Sequence, residues 1–418
     1  MKVFYLVTRT DEPGGAQVHV RDLARRLAGD GNHVVVASGP GMSSEYRRAL
    51  EEAGVAVREA PHLAREIRPR ADIAALGEII RLLREEAPDM VSLHSSKAGW
   101  LGRLAARRAG VPCVFTAHGW SFASGVPPLR ARVYRLAERL TAGLCRAIIT
   151  VSEADRRLAL ASRVGRPERI LTVHNGMPDA APPPLRSGRR EHPALEGEAV
   201  RAVMVARFTP QKDHRTLLEA VARLSTEWAE RETGVRIVDG GGAEQDGGAP
   251  QRETGEAGEA GRHGGGGAAG GPLELVLVGD GPTEYAMRRL AYDLGIDERV
   301  RFLGSRSDVA ELLAACDVYV LATNWEGLPR SIIEALRAGL PVVATELAGI
   351  PELVTHGENG YLTERGDAGE LAEMLGRLLA DPELRARMGS RSRERYEAEF
   401  TFDHMYRRTL EVYKWAVA

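Results

Sequence analysis

Two glutamates eight residues apart, Glu326 and Glu334, lie in the run Thr323-Asn-Trp-Glu-Gly-Leu-Pro-Arg-Ser-Ile-Ile-Glu-Ala-Leu-Arg-Ala-Gly-Leu-Pro341. Val318 to Leu321 before it and Val342 to Ala344 after it are short apolar runs of buried-strand type. Pro329 suits a first helical turn, and Gly339 followed by Pro341 is a helix stop. The segment therefore reads as strand, Gly-containing loop, helix, strand. Its backbone N–H groups at 329 to 332 point beyond the strand's carboxyl end, where a helix start favours an anion. With Glu326 in the loop and Glu334 one turn inside the helix, the pair can flank a ligand bearing both phosphate and hydroxyls. A glutamate near a helix start is also favourable for dipole reasons alone, so the spacing by itself leaves both readings open.

Other candidates share that placement. Arg207 and Lys212 occupy the loop after the apolar run Arg201 to Ala206, where two cations can clamp a diphosphate; Lys212 is one of 4 lysines beside 52 arginines. Gly14-Gly15 lies between the run Val3 to Val7 and a helical pattern through Val20, Leu23 and Leu27. It is either a tight turn or an anion-binding loop, and it lacks the three spaced glycines of a dinucleotide fingerprint. His118, in Thr116-Ala-His-Gly-Trp120, directly follows a strand pattern, as a ligand-facing or a structural histidine would. Gly279-Asp-Gly-Pro282 is a further turn at a strand's end.

The elements that must position these residues alternate throughout. Strand patterns at 34–37, 55–58, 90–93, 113–116, 148–151 and 170–173 are separated by helical patterns near 43–53, 72–86, 97–109 and 127–147. Such alternation predicts parallel sheets covered on both faces, with ligands beyond the strands' carboxyl ends. The length of 418 residues calls for two domains. The expected division is 1–178 plus about 400–418, a Pro-rich linker 179–198, and 199–399. A Gly/Glu-rich stretch at 229–272, without apolar periodicity, reads as a disordered insertion.

Composition narrows the function class. Hydrophobic residues at 44% and charged ones at 27% fit a soluble globular chain, and no apolar run approaches a membrane span. Residues 1–178 carry 27 Lys/Arg against 18 Asp/Glu, a balance of +9 in a chain of net −2. That basic half suits an anionic membrane or substrate; no nucleic-acid motif accompanies it. Cys113, Cys145 and Cys316 have neither pairing nor metal spacing, which fits a reducing, cytoplasmic compartment. On the 127–147 helix Leu129, Val133, Leu136, Leu140 and Leu144 share one face, with Arg130, Arg132, Arg135 and Arg139 on others. Both a membrane-surface helix and an ordinary solvated face fit that pattern.

Taken together, Gly14-Gly15, His118, Arg207 with Lys212, Gly279-Asp-Gly281 and Glu326-x7-Glu334 resemble the retaining glycosyltransferases of family 4, which have the GT-B fold of two Rossmann-like domains facing across a cleft. Ser95-Ser-Lys-Ala-Gly99 and the His118 segment are similar to bacterial members that build surface polysaccharide on lipid carriers. The resemblance implies a nucleotide-sugar donor, by family habit UDP-linked, and a lipid-linked or small-molecule acceptor. Arg207 and Lys212 would hold the diphosphate, Glu334 the ribose, and Glu326 would face the donor sugar. Gly15, Gly279, Gly281, Gly327 and Leu328 would line the donor side, Gly14 and Lys97 the acceptor side, and His118 would lie by the transferred sugar. The last helix would cross back onto the first domain. No metal or other cofactor is implied, and no Asp-x-Asp motif is present to hold one. A UDP-sugar epimerase of the same architecture and a non-catalytic nucleotide-sugar-binding protein are the competing readings. A Rossmann oxidoreductase is disfavoured by the missing glycine fingerprint. Contact with the inner face of the plasma membrane is the expectation that the basic half adds.

Overall fold

The computed structural model describes residues 1–11, 14–123, 125–179, 192–195, 199–233 and 273–418. The apolar runs form two parallel sheets. The first has seven strands: β1 (Lys2–Val7), β2 (His33–Ser38), β3 (Ala56–Glu59), β4 (Met90–His94), β5 (Cys113–Ala117), β6 (Ala147–Thr150) and β7 (Ile170–Thr172). Between them run α1 (Gly15–Gly29), α2 (Ser44–Glu51), α3 (Pro69–Glu86), α4 (Ser96–Ala109), α5 (Pro128–Ala142) and α6 (Glu153–Ala161). The second sheet has β8 (Val200–Val205), β9 (Leu273–Val278), β10 (Val300–Phe302), β11 (Val318–Leu321), β12 (Val342–Thr345) and β13 (Gly360–Thr363). Its helices are α7 (His214–Thr233), α8 (Glu284–Asp293), α9 (Val309–Ala314), α10 (Arg330–Ala338), α11 (Ala368–Ala380) and α12 (Pro382–Arg395), and α13 (Phe402–Val417) ends the chain.

Strand order places the candidate loops. It is β3-β2-β1-β4-β5-β6-β7 in the first sheet and β10-β9-β8-β11-β12-β13 in the second. Each order reverses once, between β1 and β4 and between β8 and β11, and the crevice beyond such a reversal is where parallel sheets bind ligands. Gly14-Gly15 follows β1, the Arg207–Lys212 loop follows β8, and Thr323–Glu326 follows β11. These loops stand at the two reversals.

The cores are built from the strand residues, for example Phe4, Leu6, Val91 and Leu93 in the first lobe and Val203, Leu275, Val320 and Val343 in the second, all essentially inaccessible. Helix α13 packs Met405, Tyr406, Val412 and Tyr413 with Val3, Tyr5 and Val114 of the first sheet, although the chain reaches it from the second. The three cysteines are free and buried.

Several expectations need correction. Helix α5 ends at Ala142, because Gly143 and the short turn after it must deliver Ala147 into the sheet. Its leucine face is not the buried one: Ala131, Glu138, Thr141 and Ala142 face inward, while Leu129, Val133, Leu136 and Leu140 are exposed. A buried ion pair sets this orientation. Arg103 Nη1 on α4 donates to Glu138 Oε2 at 2.7 Å, Trp100 Nε1 donates to Oε1 at 2.8 Å, and the Arg103 guanidinium lies 4.0 Å from the Phe115 ring centre. Residues 229–233 of the expected insertion are helical, as the end of α7; its remainder lies outside the described residues, as does most of the linker. Within that linker, Leu195 is buried in the second core and His192 pairs with Asp308 at 3.1 Å.

Candidate active site

The loops at the two strand reversals face each other across a cleft of about 540 Å³, lined among others by Gly14, Gly15, His118, Asn175, Lys212, Glu326, Leu328, Arg330 and Glu334. A larger recess of 680 Å³, lined by Met1, Asn32, Asp89 and Lys414 among others, opens near the opposite strand ends and contains none of the candidates.

On the second-lobe side the sequence dictates the geometry closely. Helix α10 begins at Arg330 with Pro329 as N-cap, and Gly339 closes it in the left-handed region at φ 73°. The free amides are fewer than expected, since Ile332 N already donates to Pro329 O at 3.2 Å. The loops after β8 and β11 are laced together. Asp213 N donates to Ala322 O at 3.0 Å, Asn324 N to Gln211 O at 2.8 Å, and Thr323 Oγ1 to Gln211 O at 3.0 Å. This lacing holds Lys212 Nζ in an ion pair with Glu326 Oε1, which also accepts from Thr323 Oγ1 at 3.1 Å. Both side chains are largely buried, at 14% and 8% exposure, so little water screens the pair.

One turn into α10, Glu334 is half-buried, and desolvation raises its carboxyl pKa against the opposing pull of Arg330 and Arg337. Burial in turn lowers the Arg330 guanidinium. Arg207 is exposed on the same loop as Lys212. Gly279 and Gly281 support that loop from behind. A Cβ on Gly279 would stand 2.1 Å from Ala206 O, one on Gly281 2.4 Å from Phe208 O, and both residues have positive φ.

The first-lobe side is built from rings. His118 follows β5, His94 ends β4, and His19 lies on α1. His118 is 4.7 Å from His19 and 5.3 Å from His94 between ring centres. Burial pushes His118 down to about 3, with the Arg330 charge adding to the effect, and pushes His19 and His94 well below the usual imidazole range. All three rings are neutral at pH 7.

The lobes touch along the cleft. Arg330 Cδ lies 3.2 Å from where a Gly15 Cβ would sit, and Ser152 Cβ of the first lobe lies 2.9 Å from where a Gly349 Cβ would sit. Gly327 also abuts Asp155 and the His118 carbonyl of the first lobe. Glu352, in the turn Ile350–Glu352, accepts from Glu153 N at 2.8 Å, from Ala154 N at 2.9 Å and from His174 Nε2 at 2.8 Å. Burial raises its carboxyl, and these donors more than offset that and hold it below the usual range.

The structure thus brings together Gly14, Gly15, His118, Lys212, Glu326, Leu328 and Glu334. Lys97 is placed differently: it is buried, its ammonium pairs with Asp72 at 2.5 Å, and it donates to the Glu66 carbonyl. It ties α4 to α3 and is not among the residues lining the cleft. Sequence reasoning passed over Arg330, Asn175, His19 and His94. Asn175 stands beside His174 in a turn that carried no charge signal. Arg330 is one arginine among 52, although its place at a helix start after a strand was visible.

Comparison with known proteins follows the same two halves. The family model "Glycosyl transferase 4-like domain" matches residues 14–176, and "Glycosyl transferases group 1" matches residues 268–395. The chain is 30% identical over 332 residues to UDP-Gal:alpha-D-GlcNAc-diphosphoundecaprenol alpha-1,3-galactosyltransferase of Escherichia coli, covering 78% of this chain and 75% of that one. It is 28% identical over 430 residues to the D-inositol 3-phosphate glycosyltransferase of Saccharomonospora viridis, covering 98% and 91%. Among solved structures, Anabaena Alr3699/HepE in complex with UDP and glucose superposes with a TM-score of 0.75, at 21% identity and over 99% of both chains.

Proposed function

The chain belongs to the family 4 type of glycosyltransferases with the GT-B fold, and we propose that it moves a hexose from a UDP-linked donor, with retention, onto a hydroxyl of a lipid-linked acceptor. The observation that carries this reading is the convergence, at both strand reversals, of a cation-bearing loop, a helix start, a buried carboxylate and a neutral histidine. Transfer breaks the bond from the sugar's anomeric carbon to the diphosphate and forms one to the acceptor oxygen, whose proton leaves. Negative charge grows on the departing diphosphate. Lys212, Arg207 and the first amides of α10 are preorganised to oppose it. Lys212 must leave Glu326 or share it, so donor binding would free that carboxylate to face the sugar. Glu334, one turn deeper, is placed to accept from ribose hydroxyls. Contact between the lobes at Gly15, Gly327 and Glu352 keeps water from the donor.

The E. coli relative acts on a diphosphoundecaprenol-linked sugar, and two features of this chain favour a lipid-linked acceptor here. The first-lobe segment is basic, and α5 exposes Leu129 at 74%, Val133 at 54%, Leu136 at 56% and Leu140 at 71% beside exposed Arg130, Arg132 and Arg139. An apolar stripe flanked by arginines fits the headgroup region of an anionic leaflet. No helix among the described residues is long and apolar enough to cross a membrane. We therefore place the enzyme at the inner face of the plasma membrane.

The test is a thermal-shift screen of nucleotide-sugars, since a ligand of the native state at 100 times its Kd stabilises by about 2.7 kcal/mol. Assay of the selected donor with a polyprenyl-diphosphate sugar follows. UDP release that depends on the acceptor, with an α-linked product from an α-linked donor, supports the reading. Release without acceptor and with an epimerised sugar overturns it. Activity is expected to survive EDTA, because cationic side chains and helix amides oppose the leaving charge; loss restored by Mg²⁺ or Mn²⁺ would refute that part.

A further inference from the structure

Behind His118 a line of hydrogen bonds runs through the first sheet to the last helix. His94 Nδ1 is 3.0 Å from His118 Nε2, His94 Nε2 is 2.9 Å from Ser92 Oγ, and Ser92 Oγ is 2.6 Å from Tyr413 Oη. His94, Ser92 and Tyr413 are each fully buried. The three imidazoles of His19, His94 and His118 have nitrogens within 4.8 Å of one another, a spacing a metal can bridge. The Arg330 charge bears on two of them, however, and both His94 nitrogens are already hydrogen-bonded, so the arrangement reads as a relay.

The direction of the relay follows from which protons would otherwise be stranded. A hydroxyl has one proton to donate, and a neutral imidazole has one N–H and one lone pair. If Tyr413 donates to Ser92, Ser92 donates to His94 Nε2, and His94 Nδ1–H donates to His118 Nε2, every proton in the line has an acceptor. Tyr413 Oη then keeps its lone pair for the hydroxyl of Tyr5, whose ring centre is 6.3 Å away and which has no other partner among the described residues. Run the other way, the line passes the Tyr413 proton to the Tyr5 hydroxyl, whose own proton then faces no acceptor among the described residues in a fully buried place. Stranding a buried donor is the more costly alternative.

We propose that Tyr413, Ser92 and His94 are positioning residues which fix His118 as the Nδ1–H tautomer, making it an uncharged hydrogen-bond donor to an oxygen of the transferred sugar. This rests on the reading above that His118 faces that sugar. His118 lines the cleft, and its Nδ1 makes no hydrogen bond among the described residues. A neutral donor suits the place. A charged imidazolium beside the anomeric carbon would oppose the positive charge that develops there as the diphosphate leaves, and a lone pair could only accept from a hydroxyl, leaving the sugar oxygen without a donor. Through the same line, helix α13, reached only after the chain has built the second lobe, sets the hydrogen-bonding sense of a first-lobe cleft residue.

The experiment is long-range ¹H–¹⁵N NMR of ring-labelled histidine at pH 7.5, which distinguishes the two neutral tautomers, with steady-state kinetics on the same proteins. Wild type is expected to show His118 protonated at Nδ1. Ser92→Ala removes the donor that forces the His94 tautomer, so His118 should become a mixture. Then kcat should fall about fivefold with donor KM nearly unchanged, the loss of about one neutral hydrogen bond. Tyr413→Phe removes the phenol that orients the Ser92 hydroxyl, so it should mix the His118 tautomer in the same direction but less, because Ser92 keeps a proton to donate; it also shows that the core tolerates substitution along the line. Nε2–H on His118 in wild type, or Ser92→Ala with wild-type spectrum and rate, overturns the relay. Nδ1–H in wild type together with full activity of His118→Gln leaves the hydrogen-bonded line intact but overturns its part in transfer. The donor screen then still stands or falls separately.

Discussion

The first lobe brings neutral rings to the cleft, whereas the second brings ions and a helix start. His19, His94 and His118 are held uncharged by burial, while Lys212, Glu326, Arg330 and Glu334 sit on two hydrogen-bonded loops and the first turns of α10. The division matches two recognition problems. A diphosphate leaving with extra charge needs fixed cations, and these can be fixed because the loops after β8 and β11 are hydrogen-bonded to each other. A sugar without charge needs hydrogen-bonding groups whose sense does not change near pH 7. An ionising imidazole would supply the wrong sense over part of that range.

The largest effect that would break this comparison is on the charged side. Lys212→Ala should lower kcat by roughly 100-fold, about 3 kcal/mol, because the cation matters more as leaving charge grows. Donor KM should change far less. The substitution also leaves Glu326, at 8% exposure, without its cation, so a modest fall in melting temperature should accompany it. Full kcat in this variant, measured with the donor found by screening, would return Lys212 to a structural partner of Glu326.

Glu334→Gln should do the converse: donor KM rises about tenfold while kcat holds, since ribose is gripped equally in ground and transition states. Its effect on the empty protein sharpens the point. Burial raises the Glu334 pKa above its unfolded value, so the ionised carboxylate opposes folding at neutral pH. The neutral amide should therefore leave the ligand-free melting temperature unchanged or higher. A marked fall would mean that Glu334 serves the fold through partners other than the donor.

The imidazole side should reveal itself in acid. Each buried histidine has a folded pKa below its unfolded value of about 6.5, so its contribution to stability is complete above that pH and is lost as the pH falls. One group contributes a slope of at most about 1.4 kcal/mol per pH unit. Asp155 acts in the opposite sense: burial pushes its carboxyl up to about 6, so folding gains from protonating it as the pH falls through 6. Urea unfolding at pH 7 and 5 should show lower stability at pH 5. Asp155→Asn should steepen that loss, and His19→Gln should lessen it. An unchanged pH dependence in His19→Gln would mean that its ring is not held neutral by the fold.

The charged side was the more legible in sequence, for a physical reason. Loops after strands must carry turn residues, so Gly327, Pro329, Gly339 and Gly279-Asp-Gly281 marked where backbone amides would be free, and the charges beside them stood out. The imidazole side offered less. His94 is the last residue of a buried strand and His19 an inward position of α1, where a single histidine resembles any core residue. The β1–β4 and β4–β5 adjacencies, both set by long-range pairing, bring them to His118. Lys97 shows the reverse: assigned to the acceptor side by the resemblance alone, it pairs with Asp72 of a neighbouring helix. Periodicity likewise grouped the leucines of α5 correctly but not their direction, because the buried Arg103–Glu138 pair turns the polar side inward.

That inversion yields the smallest expected effect on catalysis. If the exposed stripe on α5 meets lipid, replacing Leu136 and Leu140, at 56% and 71% exposure, by Asp should abolish co-sedimentation with anionic vesicles. These side chains touch little of the fold, so melting temperature and turnover of a water-soluble acceptor should stay at wild-type values. Reversing Arg130 and Arg132 to Glu should weaken vesicle binding by a smaller, salt-dependent amount, because each cation near an anionic surface contributes only about 1 kcal/mol. Turnover of a polyprenyl-linked acceptor in vesicles should fall with binding in both variants, through substrate access and not through the chemical step. Unchanged sedimentation in the Leu136/Leu140 variant, or no sedimentation of wild type, would assign the stripe to something other than a bilayer. It would also leave the two faces of the cleft, one ionic and one neutral, serving an acceptor that arrives from water.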